Sequence, residues 1–569
     1  MPRRTLKLWV LLVGLSSAAS TIQNCTSEDA KISGASTRAS SWNGDPVVLT
    51  KDGPVRGFAD EMNTWVWKAI PFAVPPVGAL RWKAPQDPEP WSSTREVTEF
   101  GPACTQYFIT GDPIVGEEDC LYLNLWRPQS LETELPVYVW IHGGGNSIGA
   151  STLNDYYGGR LAATSRMVVV TVNYRLGPLG WFTHPCLRSG TIGAEKDDSG
   201  NYGTLDLIKA LEWVRSTIRA FGGDPDRVTI AGESAGALDV LSLLTSPLAQ
   251  GLFHRAVVES GVARSYPLGA GDERAHRLIL WLLVRDGRAP DETAAEEYLA
   301  GMTGAEIEGY LRSKTAKEIL SGYTPEYAGM LSFPNPFEDG TVIPLGGFDT
   351  FRSGTYPNKV PLIIGSNKEE MKLFIFSDPS LSGRDDLYQI VASYGSDDWK
   401  ARGVDEIART LRAHDDQPAI YAYQFLWGAW KPPGRSVIPP PWGFKLGCCH
   451  TLEIPFFFGN DAVDVVLQAV LFTRDNYPGR RALSTAMMSY AAQFARTGDP
   501  NRPGSGLPVW SPWSNEPRGP KCILFDVDDN QDLDIAMSSE ELTPEAVRER
   551  MAAEVPEPLY SEARAYLGW

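Results

Sequence analysis

The stretch VTIAGESAGALDVLSLL, residues 228–244, decides the fold. An apolar run typical of a strand ends at Gly232, and a run typical of a helix begins directly after Ser234. A strand that turns straight into a helix brings backbone segments close together, so Gly232 and Gly236 are needed because a Cβ atom would clash there. A side chain at the apex of such a turn points outward rather than into a core. The position of Ser234 therefore suits a nucleophile.

A second Gly-x-Ser-x-Gly match is centred on Ser147, so the pattern alone does not identify the nucleophile. Both serines follow a strand-like run. After Ser234, Leu238, Leu241 and Leu244 continue at helical spacing. The residues after Ser147 carry no such stripe and are rich in turn formers. We therefore predict that Ser147 lies in a loop and that Ser234 occupies the nucleophile elbow of an α/β-hydrolase fold.

Composition indicates an ordinary globular protein. The 569 residues are 43% hydrophobic and 21% charged, which fits one large α/β domain with insertions. The formal charge of −18 argues against nucleic acid or an anionic membrane as a partner.

The first 20 residues predict a secretory signal peptide. Basic residues precede an apolar run from Leu8 to Leu15, and small residues follow. This run is too short for a membrane span, and no later run has the length of a transmembrane helix. We expect a secreted or periplasmic protein, in which Asn24 begins the one glycosylation sequon.

Strand-like and helix-like runs alternate through the first half of the chain. Apolar runs at 136–141 and 167–172 indicate strands buried on both faces. A helical stripe at 204–223 then separates them from strand-like runs at 227–232 and 254–261. This alternation predicts a mostly parallel sheet with crossover helices.

Two insertions interrupt this rhythm within a single predicted domain, residues 21–569. The first, about 262–335, reads as largely helical; the second, about 372–440, is mixed and contains a late strand of the sheet at 420–427. We expect the insertions to lie over the C-terminal edge of the sheet and to shape a pocket. A helix at 480–498 precedes what reads as a looser acidic tail.

A serine hydroxyl needs a neighbouring base, and in α/β-hydrolases the acid and then the histidine follow the nucleophile along the chain. The strand-like run to Ile364 is followed by Glu369 and Glu370, and the residues alone leave the choice between these two open. His414 lies in a polar segment. His450 opens an apolar segment that would keep an imidazole away from bulk water, so His450 is the predicted base.

Consecutive glycines in WIHGGGNS, residues 140–147, predict an oxyanion hole. Glycines after a strand can turn two backbone N–H groups into one cavity, and the first N–H of the helix after the nucleophile adds a third. We expect Gly144, Gly145 and Ala235 to be the donors. A plain glycine-rich turn would not explain why this loop accompanies an elbow.

Longer segments resemble the type-B carboxylesterase/lipase (cholinesterase-like) family. FGGDPDRVTIAGESAG (221–236) resembles the nucleophile signature of that family, and EDCLYLNLW (118–126) resembles its second signature. Other segments match in the family's order: AIPFAVPPVGALRWKAP, VNYRLGPLGWF, VPLIIGSNKEE and FARTGDPN. The resemblance covers nearly all of the mature chain.

The resemblance implies an α/β-hydrolase fold and a catalytic triad of Ser234, Glu370 and His450, because the second acidic residue of the family's loop is the catalytic one. It places the oxyanion donors as the residues themselves suggest. It also implies that Glu233 gives electrostatic support near the histidine.

The resemblance further implies a disulfide between Cys104 and Cys120. Only 15 residues separate these cysteines and none is tryptophan, which argues against a lipase lid and against a cholinesterase. Asn146, after the glycines, would add a polar group near the acyl site. The pairing of five other cysteines stays open: Cys25, Cys186, Cys448, Cys449 and Cys522. We interpret the adjacent pair as buried packing or as one half of a disulfide.

These observations predict a secreted serine carboxylesterase that hydrolyses small-molecule or oligomeric esters of short to medium acyl chain, with no metal or cofactor. Two alternatives are a lipase for longer chains and a non-catalytic cholinesterase-like binding domain. A complete triad argues against the second. The natural ester and the oligomeric state stay open.

Overall fold

The computed structural model describes residues 42–108, 113–431, 434–460 and 468–569. The predicted signal peptide, Asn24 and Cys25 lie outside these residues. The described strands are β1 Val47–Leu49, β2 Pro54–Arg56, β3 Phe58–Ala59, β4 Thr64–Pro71, β5 Arg95–Glu96, β6 Gln106–Tyr107, β7 Ile114–Val115, β8 Tyr122–Pro128, β9 Leu135–Ile141, β10 Val168–Val172, β11 Gly223–Glu233, β12 Arg255–Glu259, β13 Tyr266–Pro267, β14 Phe337–Glu338, β15 Leu362–Asn367, β16 Ile420–Phe425, β17 Cys522–Val527 and β18 Leu533–Ser538.

The helices lie between these strands along the chain, and two follow the last strand. They are α1 Gly159–Ser165, α2 Gly177–Gly180, α3 Tyr202–Thr217, α4 Ala235–Thr245, α5 Leu268–Arg285, α6 Glu292–Ala300, α7 Gly304–Arg312, α8 Ala316–Ser321, α9 Asp349–Ser353, α10 Lys372–Ile375, α11 Asp385–Lys400, α12 Glu406–Arg412, α13 Trp442–Lys445, α14 Ile454–Phe458, α15 Gln468–Leu471, α16 Tyr477–Thr497, α17 Pro544–Glu554 and α18 Leu559–Leu567. No helix of the described part combines the length and the hydropathy needed to cross a membrane.

Eleven of the described strands form the central sheet, in the order β3-β4-β8-β10-β9-β11-β12-β15-β16-β17-β18. Parallel pairing joins seven neighbouring strands in this order: β10, β9, β11, β12, β15, β16 and β17. Antiparallel pairing joins the strands on either side of them. The predicted mostly parallel sheet with crossover helices is confirmed. Strands β1, β2 and β5 form a small separate sheet.

The strand β9 shows why the apolar runs are continuous. All seven of its residues are buried. Val137 and Val139 pack into the core on one face of the sheet, whereas Tyr138 and Trp140 pack into the core on the other face. Since helices cover both faces, successive residues of a parallel strand are all withdrawn from water.

The inserted segments differ in extent from the prediction. Helices α5 to α8 occupy the first insertion, 262–335, as expected. The second, 372–440, contains β16, a strand of the central sheet, so its inserted part ends before Ile420. The looser tail expected after residue 498 is wrong, because β17, β18, α17 and α18 lie there. Strand β18 is an edge strand with mostly accessible residues, and such a strand has no continuous apolar run.

Candidate active site

Ser234 stands between the end of β11 and the start of α4, with φ 57° and ψ −118°. This backbone conformation is strained for a residue with a side chain. The turn is possible because the residues at 232 and 236 are glycines, where there is no room for a Cβ. A Cβ on Gly232 would lie 2.5 Å from the Gly236 backbone, and a Cβ on Gly236 would lie 2.1 Å from the Ile141 carbonyl oxygen. The serine itself is half-buried and therefore accessible.

His450 lies in the loop before α14 and is 2% exposed. Its Nδ1 is 2.5 Å from Oε2 of Glu370, which follows β15 and is fully buried. Its Nε2 lies 3.1 Å from Oε1 of Glu233. Among the described residues no hydrogen bond joins the imidazole to Ser234 Oγ, as is common in unliganded enzymes, where such bonds tighten on substrate binding.

The two carboxylates that follow β15 point to different partners. Glu370 accepts the Asn367 N–H at 2.7 Å through Oε1 and meets the imidazole of His450 through Oε2. Glu369 instead accepts the N–H of Cys448 at 3.0 Å and pairs with Lys372 at 2.7 Å. Only Glu370 therefore reaches the histidine.

Further buried carboxylates surround His450. Glu453, three residues later, accepts the Ser260 hydroxyl at 2.9 Å and also contacts Asn367. Burial and the Glu370 charge raise the pKa of Glu453 to about 7. Burial raises the pKa of Glu233 well above its usual range, and the His450 ring opposes this shift.

The pKa of the imidazole follows from the same arrangement. Burial alone would lower the pKa of His450. The carboxylates of Glu233 and Glu370 outweigh burial, because an adjacent negative charge favours the protonated ring, and they raise the pKa to about 9. The site is therefore arranged to stabilise an imidazolium.

The glycine loop after β9 lies beside the nucleophile. A Cβ on Gly143 would be 3.1 Å from the Ser234 Cβ. Gly144 and Gly145 adopt φ 108° and 62°, which favours glycine. No hydrogen bond within the described residues takes up the N–H of Gly144, Gly145 or Ala235. These three donors, the last at a helix N-terminus, remain available for an oxyanion.

Asn146 anchors this loop from behind rather than facing the acyl site. Its side chain is fully buried. Its Nδ2 donates to Asp239 at 3.1 Å and to Asn335 at 3.0 Å, and its Oδ1 accepts the Tyr174 hydroxyl at 3.3 Å. The expected polar group near the acyl site is wrong, because the amide is occupied by buried partners.

Aromatic rings from the second insertion cover His450, and the first insertion adds further groups. The centroids of Trp399 and Phe374 lie 5.0 and 5.2 Å from the imidazole, and the two rings stack at 5.7 Å. Tyr327 packs on Phe374 at 5.6 Å. A Cβ on Gly145 would approach Met330 Sδ to 3.2 Å. Residues of both insertions therefore lie against the histidine and the glycine loop.

The competing candidates have partners outside the triad. Ser147 sits in the turn of the glycine loop, where its hydroxyl accepts the Leu331 N–H at 2.9 Å. His414 Nε2 pairs with the Phe351 carbonyl at 2.7 Å. Ser260 could not be predicted from the sequence. Its partner Glu453 follows the base by three residues, and no local pattern marks that contact.

The six cysteines that the structure describes form one disulfide and four free thiols. Cys104 and Cys120 are bonded, as the resemblance implies. Cys448 and Cys449 are both buried and free, which agrees with the packing interpretation rather than with half of a disulfide. Cys186 and Cys522 are likewise free.

The chain is similar in sequence to a known family and to several known proteins. The model of the carboxylesterase family matches residues 44–395. The chain is 30% identical over 493 residues to the para-nitrobenzyl esterase of Bacillus subtilis (strain 168), covering 82% of this chain and 92% of that protein. It is 33% identical over 521 residues to the medium-chain fatty acyl-CoA hydrolase precursor of Anas platyrhynchos, covering 83% and 88%.

The fold also matches solved structures. The carboxylesterase EST55 of Geobacillus stearothermophilus, solved at pH 6.8, aligns with a TM-score of 0.64 and 31% identity. The alignment covers 86% of this chain and 97% of that protein.

Proposed function

Because the chain belongs to the carboxylesterase family and is a carboxylic ester hydrolase, we propose that it acts through a triad of Ser234, Glu370 and His450. The observation that carries this proposal is the 2.5 Å contact between Glu370 and His450 beside a half-buried serine on a strained turn. The three unoccupied N–H groups next to that serine support the same reaction.

The reaction begins when His450 Nε2 accepts the proton of Ser234 Oγ as the oxygen attacks the ester carbonyl carbon. The developing oxyanion accepts hydrogen bonds from the N–H groups of Gly144, Gly145 and Ala235, each worth about 10²–10³ in rate. The carbon–oxygen bond to the alcohol then breaks, and His450 gives its proton to the leaving oxygen.

The resulting acyl-enzyme is hydrolysed by the same groups. His450 takes a proton from water, the hydroxide attacks the acyl carbon, and the acid leaves as the proton returns to Ser234 Oγ. Glu370 holds the proton on Nδ1 and stabilises the imidazolium through both halves of the cycle. Glu233, at 3.1 Å from Nε2, adds negative potential on the other side of the ring.

We infer a preference for short to medium acyl chains. The described part of the Cys104–Cys120 loop is fixed, since the buried Tyr107 hydroxyl donates to the carbonyls of Leu320 and Tyr323 at 3.2 and 3.1 Å. A lipase lid has to move away from its site. The relative from Anas platyrhynchos is itself described as a medium-chain hydrolase, which agrees with this range.

Hydrolysis of p-nitrophenyl esters from acetate to palmitate tests the proposal. The wild type should be fastest on short chains, and Ser234→Ala should lose about 10⁴-fold or more. Ser147→Ala is the matched control and should lose far less, because Ser147 supports the glycine loop but does not attack the ester. Rates that peak at palmitate and rise at an oil–water interface would instead favour the lipase, and equal rates for wild type and Ser234→Ala would favour a binding domain.

We further propose that the chain is exported and cleaved after its N-terminal signal. The disulfide between Cys104 and Cys120 supports an oxidising compartment. N-terminal sequencing of protein recovered from the culture medium should begin near Ser20. Recovery of full-length protein only from the cytoplasm would contradict export.

A further inference from the structure

Glu369, which the residues alone did not separate from Glu370, is tied to the loop that carries the histidine. We call residues 366–372 the acid loop and residues 446–453 the histidine loop. Glu369, in the acid loop, is 5% exposed and packs against the histidine loop. Its backbone N–H donates to the Cys448 carbonyl at 3.1 Å, and its Oε2 accepts the Cys448 N–H at 3.0 Å. The main chain of Cys448 is therefore held at both of its polar groups.

The same pairing continues through consecutive residues of the histidine loop. The carbonyl of Cys449 accepts Asn367 Nδ2 at 2.8 Å. The next residue, His450, meets Glu370 at 2.5 Å. Three successive residues of the histidine loop are thus each held by a different residue of the acid loop. The contact of Glu369 fixes the backbone two positions before the imidazole.

Both carboxylate oxygens of Glu369 are engaged by groups of the protein itself. Its Oε1 pairs with Lys372 at 2.7 Å, and the Lys372 ammonium is fully buried. Its Oε2 also accepts the Trp430 N–H at 3.2 Å. A buried ion pair is weak evidence for stability, because desolvation offsets the attraction between the charges. Its contacts point instead to control of loop geometry.

Gly447 shows how closely the carboxylate approaches the histidine loop. Gly447 has φ 49°, and a Cβ there would lie 1.9 Å from Glu369 Oε2. The loop backbone passes directly against this oxygen. Any side chain at 447 would displace the carboxylate from the Cys448 N–H.

We propose that Glu369 is a positioning residue, which holds the histidine loop through Cys448 so that His450 Nδ1 stays within hydrogen-bond distance of Glu370. The inference rests on the proposed function of the triad. It assigns Glu369 no contact with substrate or with the reacting atoms.

Two double variants isolate the contact. Glu369→Gln with Lys372→Met removes both buried charges but keeps an oxygen that accepts the Cys448 N–H. Glu369→Leu with Lys372→Met removes the same charges and the acceptor. We expect the first to keep kcat on p-nitrophenyl butyrate within about threefold of wild type. The second should lose about 10²-fold in kcat with little change in KM, as for a misplacement of about 1 Å.

The pH profile separates positioning from general destabilisation. Loss of the Glu370 contact weakens the influence that raises the pKa of His450, so the profile of the Leu/Met variant should move to lower pH while that of the Gln/Met variant stays. Equal kcat values and equal profiles in the two variants would overturn the proposal, whatever their melting temperatures.

A second pair tests the same contact without altering Glu369. Gly447→Ala should lower kcat, whereas Gly383→Ala should not, although Gly383 also has a positive φ, of 75°, and lies in open space. Equal effects of the two substitutions would count against the proposal. NMR titration of the His450 ring compares the pKa of the imidazole in the Gln/Met and Leu/Met variants without any need for turnover. If the wild type hydrolysed no ester, the proposed function would be contradicted, but this titration would still test the role of Glu369.

Discussion

Gly236→Ala should damage both activity and stability, although alanine is the better helix former. Gly236 lies in the first turn of α4, where alanine alone would stabilise a helix by about 1 kcal/mol. The added Cβ would lie 2.1 Å from the carbonyl oxygen of Ile141 and 2.8 Å from that of His142. Both atoms belong to backbone and cannot rotate away.

The magnitude follows from this distance. Relieving the overlap requires α4 and the end of β9 to separate by about 1 Å, since interiors are close-packed. Overpacking of this kind costs about 1–3 kcal/mol, which exceeds the gain in helix propensity. The displaced segments carry Ser234 and Gly144, so the nucleophile and the donors of the glycine loop would move apart. A misplacement of about 1 Å can cost about 10²-fold in kcat.

Steady-state kinetics on p-nitrophenyl butyrate and thermal unfolding measure both effects. Gly309→Ala is the matched control, because Gly309 is also helical, in α7, and a Cβ there meets open space. That variant should keep full activity and gain stability by up to about 1 kcal/mol. A Gly236→Ala enzyme with wild-type kcat would refute the reasoning, because the elbow would then not require the close approach of α4 to β9.

Four further predictions concern the charges and the disulfide. Glu370→Gln should lower kcat by about 10⁴-fold, because the His450 tautomer is no longer fixed; a loss below tenfold in steady-state kinetics would exclude Glu370 as the acid. The wild-type kcat/KM should rise with pH up to about pH 9 as His450 loses its proton. Glu233→Gln should shift this limb of the pH–rate profile to lower pH. An unmoved limb would mean that Glu233 does not act on the ring. Because the folded pKa of His450 exceeds its ordinary value, its contribution to stability is complete below about pH 6.5 and should be lost as the pH rises through about 9, in urea unfolding curves measured across this range. Replacing Cys104 and Cys120 by serine should lower the free energy of unfolding by about 3 kcal/mol in denaturant titrations, as expected for a loop of this length, and an unchanged midpoint would show that the bond constrains little.

The sequence was informative wherever local backbone chemistry dictates the structure. The glycines around Ser234 and the continuous apolar run of β9 each have one favourable structural solution, so the elbow and the buried strand could be predicted. The glycine loop could be placed for the same reason. Its two donors, the N–H groups of Gly144 and Gly145, lie free beside the nucleophile.

Side-chain direction was not accessible in this way. Glu369 and Glu370 follow the same strand, and only the three-dimensional path of the histidine loop decides which carboxylate meets His450. Asn146 was misjudged because its partners, Asp239 and Asn335, are distant in sequence. Contacts between separate loops leave no periodic signal in a single chain.

Edge elements were missed for a different physical reason. Strand β18 pairs only on one side and exposes most of its residues, so it lacks the apolar run that marked β9. Strand β16 was recognised from its aromatic residues, yet the surrounding polar helices made the insertion appear longer than it is.

Covalent labelling of the nucleophile tests the central claim most directly. The enzyme would be treated with a fluorophosphonate, digested, and the modified peptide identified by mass spectrometry. We expect one label per chain on Ser234, none on Ser147, and slow labelling in a His450→Ala variant. A label on another residue, or labelling of Ser234 that is independent of His450, would contradict the assignment of this site as a serine–histidine–glutamate esterase.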